Sequence, residues 1–161
     1  MSKNKVTFAR NLVKGKIAET IFAQMLREAN AFTVLEFGYE KIIPELVQQG
    51  FDYGDKHGII ETLRTAPDFA VINNETKSVK LIEVKYMRRL SEKYALADAE
   101  RMKQTWNPSY LFIATLDGFY FDSIDDVVIN EGVVSELEHP SIPPEMQSRY
   151  LQILIDFEKD N

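Results

Sequence analysis

Three charged residues interrupt two apolar runs in the stretch TAPDFAVINNETKSVKLIEVKY, which covers residues 65–86. Asp68 stands at the start of the first run, and Glu83 and Lys85 stand two residues apart in the second. Carboxylate oxygens are hard ligands that suit Mg²⁺ or Mn²⁺, and a neighbouring lysine supplies part of the positive charge that two carboxylates need. Chemistry of this kind requires that the three side chains meet at one place.

The two apolar runs predict a β-hairpin with residues 74–77 at its tip. Counting back from this tip places Asp68 directly opposite Glu83, and the period of two along a strand puts Lys85 on the same face. Two facing carboxylates repel, and partial burial of their charge is costly unless it is paired or bound to a metal. The hairpin therefore predicts a divalent cation site at its open end. The alternative is a set of exposed strand residues in ordinary cross-strand ion pairs.

The elements before the hairpin follow from apolar periodicity. A helix over residues 8–29 is predicted by apolar side chains at spacings of three and four, with Thr7 as its cap and Asn30 as its end. Residues 32–40 alternate and predict a strand. Residues 41–66 can contain one short helix but otherwise predict a loop or a small insertion. The apolar stripe of the first helix consists of Phe8, Leu12, Ala18, Ile21, Phe22, Met25, Leu26 and Ala29.

The elements after the hairpin are two helices and a second hairpin. Ser91 is the expected cap of a helix whose apolar line ends at Trp106. Two further apolar runs flank Asp117 and Gly118, a pair preferred in tight two-residue turns, and predict two antiparallel strands. A last helix begins at the proline pair of residues 143–144. The apolar stripes of these two helices consist of Ala95, Ala99, Met102 and Trp106, and of Met146, Tyr150, Ile153, Leu154 and Phe157.

The predicted order of elements is helix, strand, two hairpin strands, helix, two strands and helix. This order predicts an α/β fold with a mixed central β-sheet flanked by helices. A chain of 161 residues, with 45% hydrophobic and 27% charged residues, suits one soluble globular domain. The sequence contains no cysteine, so thiolate metal sites and disulfides are excluded, and a cytoplasmic location is expected. No segment has the ~20 apolar residues that a membrane span needs.

The net charge of −6 argues against nucleic acid as a partner, because phosphate binding depends on lysine and arginine. The charges are unevenly distributed, however. Residues 1–29 contain six basic and two acidic side chains, and residues 77–103 contain eight and four. Residues 115–161 contain two basic and eleven acidic side chains. One basic face and one acidic region therefore fit the sequence.

The segment Pro67-Asp68, followed after 14 residues by Glu83-Val84-Lys85, resembles the motif of the PD-(D/E)XK nuclease superfamily. This restriction-endonuclease-like fold includes Holliday-junction resolvases. Its core is a helix, three strands, a helix and a strand, which is the order predicted here, and its first helix often carries a glutamate. Glu19, in KGKIAETIF, is similar in position. The resemblance covers residues 8–115 and leaves residues 116–161 as an addition to a single nuclease-like domain.

The resemblance implies a nuclease that depends on Mg²⁺ or Mn²⁺ and hydrolyses phosphodiester bonds, with DNA favoured over RNA. By the same resemblance, Asp68 and Glu83 would be direct metal ligands, and the Val84 carbonyl would be a third. Glu19 would act at the metal through water, and Lys85 would position or help to activate the attacking water. The alternative for Glu19 is a solvated helix-flank glutamate, since helical geometry places it at the border of the apolar stripe.

Basic residues near the motif are predicted to contact the nucleic acid. Those that directly follow the motif strand would hold a phosphate backbone near the site. A solvated charge run is the alternative for these positions. The predicted nucleic-acid-binding residues are Lys14, Lys16, Arg88, Arg89 and Lys93.

Gln104, on the second predicted helix, is an accessory candidate. Some members of the superfamily have a polar residue on this helix that faces the active site, whereas an exposed helix-end glutamine is the alternative. His57 and His139 are isolated and have no metal-like spacing, so neither is predicted as a ligand or a general base.

Three functions remain open from the sequence. The first is the nuclease, and the second is a nuclease-fold module that has lost catalysis and binds nucleic acid or a protein partner. The third is an acidic protein-interaction domain, which the C-terminal charge would suit. A chain of this size leaves little room for a separate sequence-reading domain. A nuclease of this kind would therefore select its target by nucleic-acid structure, as a homodimer, or through a targeting partner protein.

Overall fold

The computed structural model of the chain describes residues 3–38 and 65–160. Most of the segment 41–66, with the short helix expected there and His57, lies outside these described residues. The predicted elements that fall within them are present, and one further helix, α3, is added. In chain order the elements are α1 (Lys3–Glu28), β1 (Phe32–Glu36), β2 (Phe69–Asn73), β3 (Val79–Tyr86), α2 (Glu92–Thr105), β4 (Tyr110–Ala114), β5 (Phe119–Ser123), α3 (Ile124–Ile129) and α4 (Pro144–Asp160).

The five strands form one sheet in the order β1-β2-β3-β4-β5. Neighbouring strands are antiparallel except β3 and β4, which are parallel. Parallel neighbours need a long crossover connection, and the segment that contains α2 supplies it. The arrangement confirms the predicted α/β fold with a mixed central sheet.

Helices cover both faces of the sheet. On one face α1 and α4 form a core in which the rings of Phe22 and Phe112 lie 4.8 Å apart and Leu154 is fully buried. On the other face α2 and α3 pack against Leu111 and Ile113 of β4. The residues of β4 alternate between the two cores because successive side chains of a strand point to opposite faces. The central strands are therefore held between two helical layers.

The first helix is longer at its start than the sequence predicts. It begins at Lys3, so Thr7 lies inside the helix and the prediction that Thr7 caps it is wrong. The segment KNKV contains neither proline nor glycine, so nothing in it interrupts a helix. Leu12 was predicted in the apolar stripe but is 55% exposed, whereas Ala18 is fully buried. Asn30 ends the helix as predicted, with a positive φ of 57° that asparagine tolerates.

The cap of α2 is as predicted, and the second hairpin differs by one residue. Ser91 accepts the N–H of Tyr94 and so caps α2. In the β4–β5 hairpin the Thr115 N–H donates to the Gly118 carbonyl at 3.0 Å, which leaves residues 116–117 at the tip rather than 117–118. The Thr115 hydroxyl accepts the N–H groups of Asp117 and Gly118 and fixes this turn.

The C-terminal region contains two departures from the sequence-based expectation. The helix α3 has six residues, too few for a helical period to be recognised. On α4, Leu154 is buried as predicted, but Ile153 is 51% exposed and Leu151 packs against the core instead. No helix within the described residues is both long enough and apolar enough to cross a lipid bilayer.

Candidate active site

The β2–β3 hairpin has the register that the sequence predicts. Phe69 pairs with Ile82, and the ladder continues in register toward the tip. At the tip, Lys77 has a positive φ of 63° and its N–H donates to the Asn73 carbonyl at 2.7 Å. The ladder stops at Phe69, so Asp68 lies just beyond the paired strands, at the open end of the hairpin.

Asp68 is fixed from two sides. Its Oδ2 accepts the Val84 N–H at 2.8 Å, so a side chain takes the place of the next main-chain bond between β2 and β3. Its main-chain carbonyl accepts the N–H groups of Phe37 and Gly38 at 2.9 and 3.2 Å. A Cβ on Gly38 would lie 3.4 Å from the Asp68 Cα, at van der Waals contact, so the two residues pack directly against each other. The chain after β1 therefore helps to position Asp68, which the sequence did not indicate.

Three carboxylates meet at the open end of the hairpin. Glu19 comes from α1, Asp68 precedes β2 and Glu83 lies on β3. All three line one cavity of about 580 Å³, together with Lys85. Asp68 is within hydrogen-bonding range of both Glu19 and Glu83, and Glu83 is 8% exposed. The structure therefore brings together the four residues that the resemblance indicates.

Among residues 3–38 and 65–160, no basic side chain fully balances the negative charge of this carboxylate cluster. Burial, followed by the charge of Glu83 and a hydrogen bond with it, raises the pKa of Asp68 from 3.8 to about 7. Burial, followed by a hydrogen bond with Asp68 and repulsion from it, raises the pKa of Glu19 from 4.5 to about 7. Lys16, 3.4 Å from Glu19, and the Val84 N–H oppose these shifts without cancelling them. A bound cation would relieve the repulsion and lower both pKa values.

The donor set fits a divalent cation of the magnesium type. Asp68 and Glu83 offer carboxylate oxygens. The N–H and C=O of one strand residue point to the same side of the strand. The Val84 N–H points toward Asp68, so the Val84 carbonyl lies on the Asp68 side of β3 as well. Within residues 3–38 and 65–160, no three acidic, histidine or cysteine side chains are themselves arranged to hold a metal. Mg²⁺ often takes only one or two protein carboxylates and adds water and substrate phosphate, so this smaller set is compatible with it.

A groove crosses the carboxylate cluster and has basic residues on both sides. The cavity of about 580 Å³ extends to Arg27 of α1 and Arg101 of α2. A second cavity, of about 640 Å³, extends to Lys14 of α1 and to Arg88 after β3. The two cavities share the three carboxylates and two lysines. A negatively charged chain that followed this groove would pass the carboxylate cluster.

The groove includes some of the basic residues predicted to bind nucleic acid. Lys14, Lys16 and Arg88 line it. Arg89 and Lys93 are exposed at the surface and are not among its described lining residues. The predicted basic surface therefore divides into residues beside the carboxylates and residues apart from them.

The residue of α2 that reaches the groove is Arg101, one turn before Gln104. Gln104, the predicted accessory residue, is exposed and is not among the described lining residues. Arg101 lies 3.5 Å from Asp98, three residues earlier. This spacing is that of ordinary surface ion pairs on helices, so no pattern in the sequence indicated Arg101 as a site residue.

The comparison with known proteins does not identify a family for this chain. No protein-family model matches the sequence, and no curated protein matches it. The function therefore rests on the residues of the site and on their arrangement.

Proposed function

We propose that this protein is a divalent-metal-dependent nuclease of the PD-(D/E)XK type that hydrolyses phosphodiester bonds, with DNA favoured over RNA. The observation that carries the proposal is the convergence of Asp68 and Glu83 beside Lys85 in one groove. The pKa values of Glu19 and Asp68 are raised, and acids with raised pKa values in a cleft are typical of functional sites. The order of elements around them is also that of the superfamily core.

Each residue of the cluster would have its own role at a scissile phosphate. Asp68, Glu83 and the Val84 carbonyl would hold Mg²⁺ or Mn²⁺, and Glu19 would contact the ion through water. The bound ion would supply Lewis-acid stabilisation of the charge that develops on the phosphate. Lys85 would orient the attacking water and donate to a phosphate oxygen. Water would attack phosphorus and lose its proton to solvent, and the bond to the leaving sugar oxygen would break as that oxygen takes up a proton from solvent.

The basic residues along the groove support a nucleic-acid substrate even though the chain has a net charge of −6. Lys14 and Arg88 lie on one side of the carboxylates, and Arg27 and Arg101 lie on the other. Side chains of these types hold phosphate groups and position a strand without reading its sequence. Target selection would then come from nucleic-acid structure, a homodimer or a targeting partner. We place the activity in the cytoplasm because the sequence has no cysteine.

One observation favours a second candidate, a nuclease-fold module that binds nucleic acid or a protein without cutting. Glu19 and Asp68 are within hydrogen-bonding range of each other, and both have pKa values of about 7. A proton held between them would allow the cluster to persist without metal at neutral pH. Such a module would bind nucleic acid but would release no product with any divalent ion.

Cleavage assays with the purified protein test the nuclease proposal. Plasmid, branched and single-stranded DNA, and a single-stranded RNA, are incubated with Mg²⁺, Mn²⁺, Ca²⁺ or EDTA. We expect product from at least one DNA with Mg²⁺ or Mn²⁺, and none in EDTA. Absence of product from every substrate, with binding retained, would support the inactive module instead.

A matched pair of lysine variants then tests whether the site is the one described. Lys85→Ala should abolish cleavage. Lys80→Ala removes the same charge from the same strand, but the Lys80 ammonium lies 5.2 Å from the centre of the Tyr110 ring and outside the described lining of the groove. We expect Lys80→Ala to cleave as the unmodified protein does. Cleavage that survives Lys85→Ala would contradict the assigned site.

A further inference from the structure

A fourth carboxylate, Glu158 in the last turns of α4, contacts two residues that line the groove, Lys14 and Tyr86. The Lys14 ammonium lies 2.9 Å from each of its two oxygens. The Tyr86 hydroxyl donates to Glu158 Oε2 at 3.0 Å. The side chains of Lys14 and Glu158 are each 13% exposed. This is a largely enclosed contact between an anion and two donors from α1 and β3.

The donors of this contact belong to the groove. Lys14, Tyr86 and Arg88 line the cavity of about 640 Å³ that also contains Asp68 and Glu83. Tyr86 directly follows the proposed catalytic Lys85 on β3, but it points to the opposite face of the strand. The Lys14 ammonium also lies 5.8 Å from the centre of the Tyr86 ring. The donors are therefore held in place relative to the proposed scissile position.

The groups around Glu158 favour a negative charge at this position, as the groups of an anion-binding site do. Burial alone would raise the pKa of Glu158, but hydrogen bonds from Lys14 and Tyr86 and the charges of Lys14 and Arg88 lower it overall. Lysine, arginine and tyrosine hydroxyl groups are also the side chains that bind backbone phosphates. A phosphate could use the donors that the carboxylate uses now.

We propose that Lys14, Tyr86 and Arg88 form a phosphate-binding subsite for the nucleic-acid backbone, and that the Glu158 carboxylate occupies this subsite until a substrate phosphate displaces it. The inference rests on the proposed nuclease function, because it assigns a position along the same groove. It adds a competing internal anion from a helix outside the resembling core. No bond is made or broken in this exchange, since one anion replaces another at the same donors.

The exchange has a consequence for affinity. The cavity of about 640 Å³ is lined by four basic and three acidic side chains. Glu158 cancels the excess positive charge while it holds Lys14, so weakly bound nucleic acid must compete with it. A strand that reaches the subsite gains one further phosphate contact, and such contacts make binding depend on salt.

Binding without cleavage tests the subsite. A short fluorescein-labelled single-stranded DNA is titrated in EDTA with the unmodified protein, with Glu158→Gln and with Asp156→Asn, and anisotropy is read. Asp156→Asn is the matched control, because it removes the same charge from an exposed position of the same helix. We expect Glu158→Gln to bind about fivefold more tightly than the control, the ratio of one modest ionic contact. Its plot of log K against log salt should steepen by about 0.7, the value for one extra phosphate on a single strand.

A double variant identifies the donor. Lys14→Met in the Glu158→Gln background should remove the gain in affinity and the added salt slope. If Glu158→Gln binds no more tightly than Asp156→Asn, or if the gain survives Lys14→Met, the subsite is refuted and the contact only attaches α4 to α1. Glu158→Ala repeats the comparison if the glutamine variant does not fold.

The outcome is separable from the nuclease proposal. Titration of the unmodified protein with inorganic phosphate in EDTA, with chloride at equal ionic strength as control, should shift the NMR signals of the Tyr86 ring. Chloride alone should not shift them, and an equal shift with both salts would count against the subsite. A phosphate response without DNA cleavage by any metal would refute the nuclease but keep the subsite. Cleavage with no effect of Glu158→Gln on affinity would refute the subsite but keep the nuclease.

Discussion

Glu19 and Asp68 line the groove, whereas Glu158 contacts two residues that line it, and the pKa values of these two groups of carboxylates are shifted in opposite directions. At the open end of the β2–β3 hairpin, the pKa values of Glu19 and Asp68 are raised to about 7. On the side toward α4, the pKa of Glu158 is lowered. Burial opposes the charged form in both groups, so burial does not explain the difference. The difference lies in the partners that each carboxylate has.

Glu158 has a complete set of partners from its own chain. Its two oxygens face the Lys14 ammonium at 2.9 Å, and the Tyr86 hydroxyl donates to one of them. Asp68 faces mainly other acids and accepts one main-chain N–H, from Val84. Within the described residues, Glu19 and Asp68 lack a full counter-charge, and a bound cation of the kind we propose would supply it. A carboxylate with its counter-charge in place marks a contact that the fold itself can use.

The largest expected effect comes from neutralising the unbalanced group. Asp68→Asn should reduce metal-dependent cleavage about 100-fold or more, because it removes a proposed metal ligand. Initial rates with saturating Mg²⁺ measure the loss. Asp156→Asn, an equal change of charge on an exposed part of α4, should cleave at the unmodified rate. Equal activity of Asp68→Asn and the control would remove Asp68 from the catalytic set.

The second effect is on stability, which Asp68→Asn should increase, whereas the same variant should reduce cleavage. Asp68 binds its proton more tightly in the folded protein, with a pKa of about 7, than in the unfolded chain, where 3.8 is ordinary. Its stabilising contribution is therefore complete at low pH and is lost as the pH rises through about 7. Near pH 8, without metal, Asp68→Asn should raise the free energy of unfolding by about 2 kcal/mol.

Urea unfolding in EDTA, measured near pH 5 and near pH 8, checks this sign. The advantage of Asp68→Asn should shrink at the lower pH, because the carboxyl of the unmodified protein is then already protonated in the folded state. An asparagine variant that is less stable at both pH values would show that the Asp68 charge is balanced by the fold.

The third effect comes from supplying the external cation. Near pH 8, Mg²⁺ at about ten times its Kd should stabilise the unmodified protein by about 1.4 kcal/mol and should leave Asp68→Asn unchanged. Thermal unfolding with MgCl₂, against KCl of equal ionic strength, measures it. Apparent affinity should fall below about pH 7, since the carboxylates must lose protons to bind the ion. Equal stabilisation of both proteins would place the ion elsewhere.

The smallest expected effect is at the balanced carboxylate. Glu158→Gln should lower the free energy of unfolding by about 1 kcal/mol near neutral pH, the value of one charge-assisted contact with partial exposure. The lowered pKa of Glu158 means that its contribution is present above the ordinary value of 4.5 and is lost as the pH falls through the folded-state value. Urea unfolding near neutral pH and at acid pH should therefore show that the difference in unfolding free energy between the unmodified protein and Glu158→Gln disappears at acid pH. A difference that grew with acid would refute the ion-pair account.

Much of the fold could be predicted from the sequence because it depends on neighbours along the chain. The β2–β3 register follows from a four-residue tip and a period of two, and it placed Asp68 beside Glu83 correctly. The cap at Ser91 and the end of α1 at Asn30 depend on single residues with strong local preferences. By contrast, α3 was missed because six residues are too few to show a period.

The sequence by itself determined the order of the elements and the candidate metal ligands, since both depend on local periodicity and on a short motif. Only the tertiary structure decided which distant residues join the site. It brought Gly38 against Asp68 and turned Arg101 rather than Gln104 to the groove. It also paired Lys14 with Glu158, 144 residues apart in the chain. These contacts depend on how helices pack across a sheet, and no spacing in the sequence records that packing.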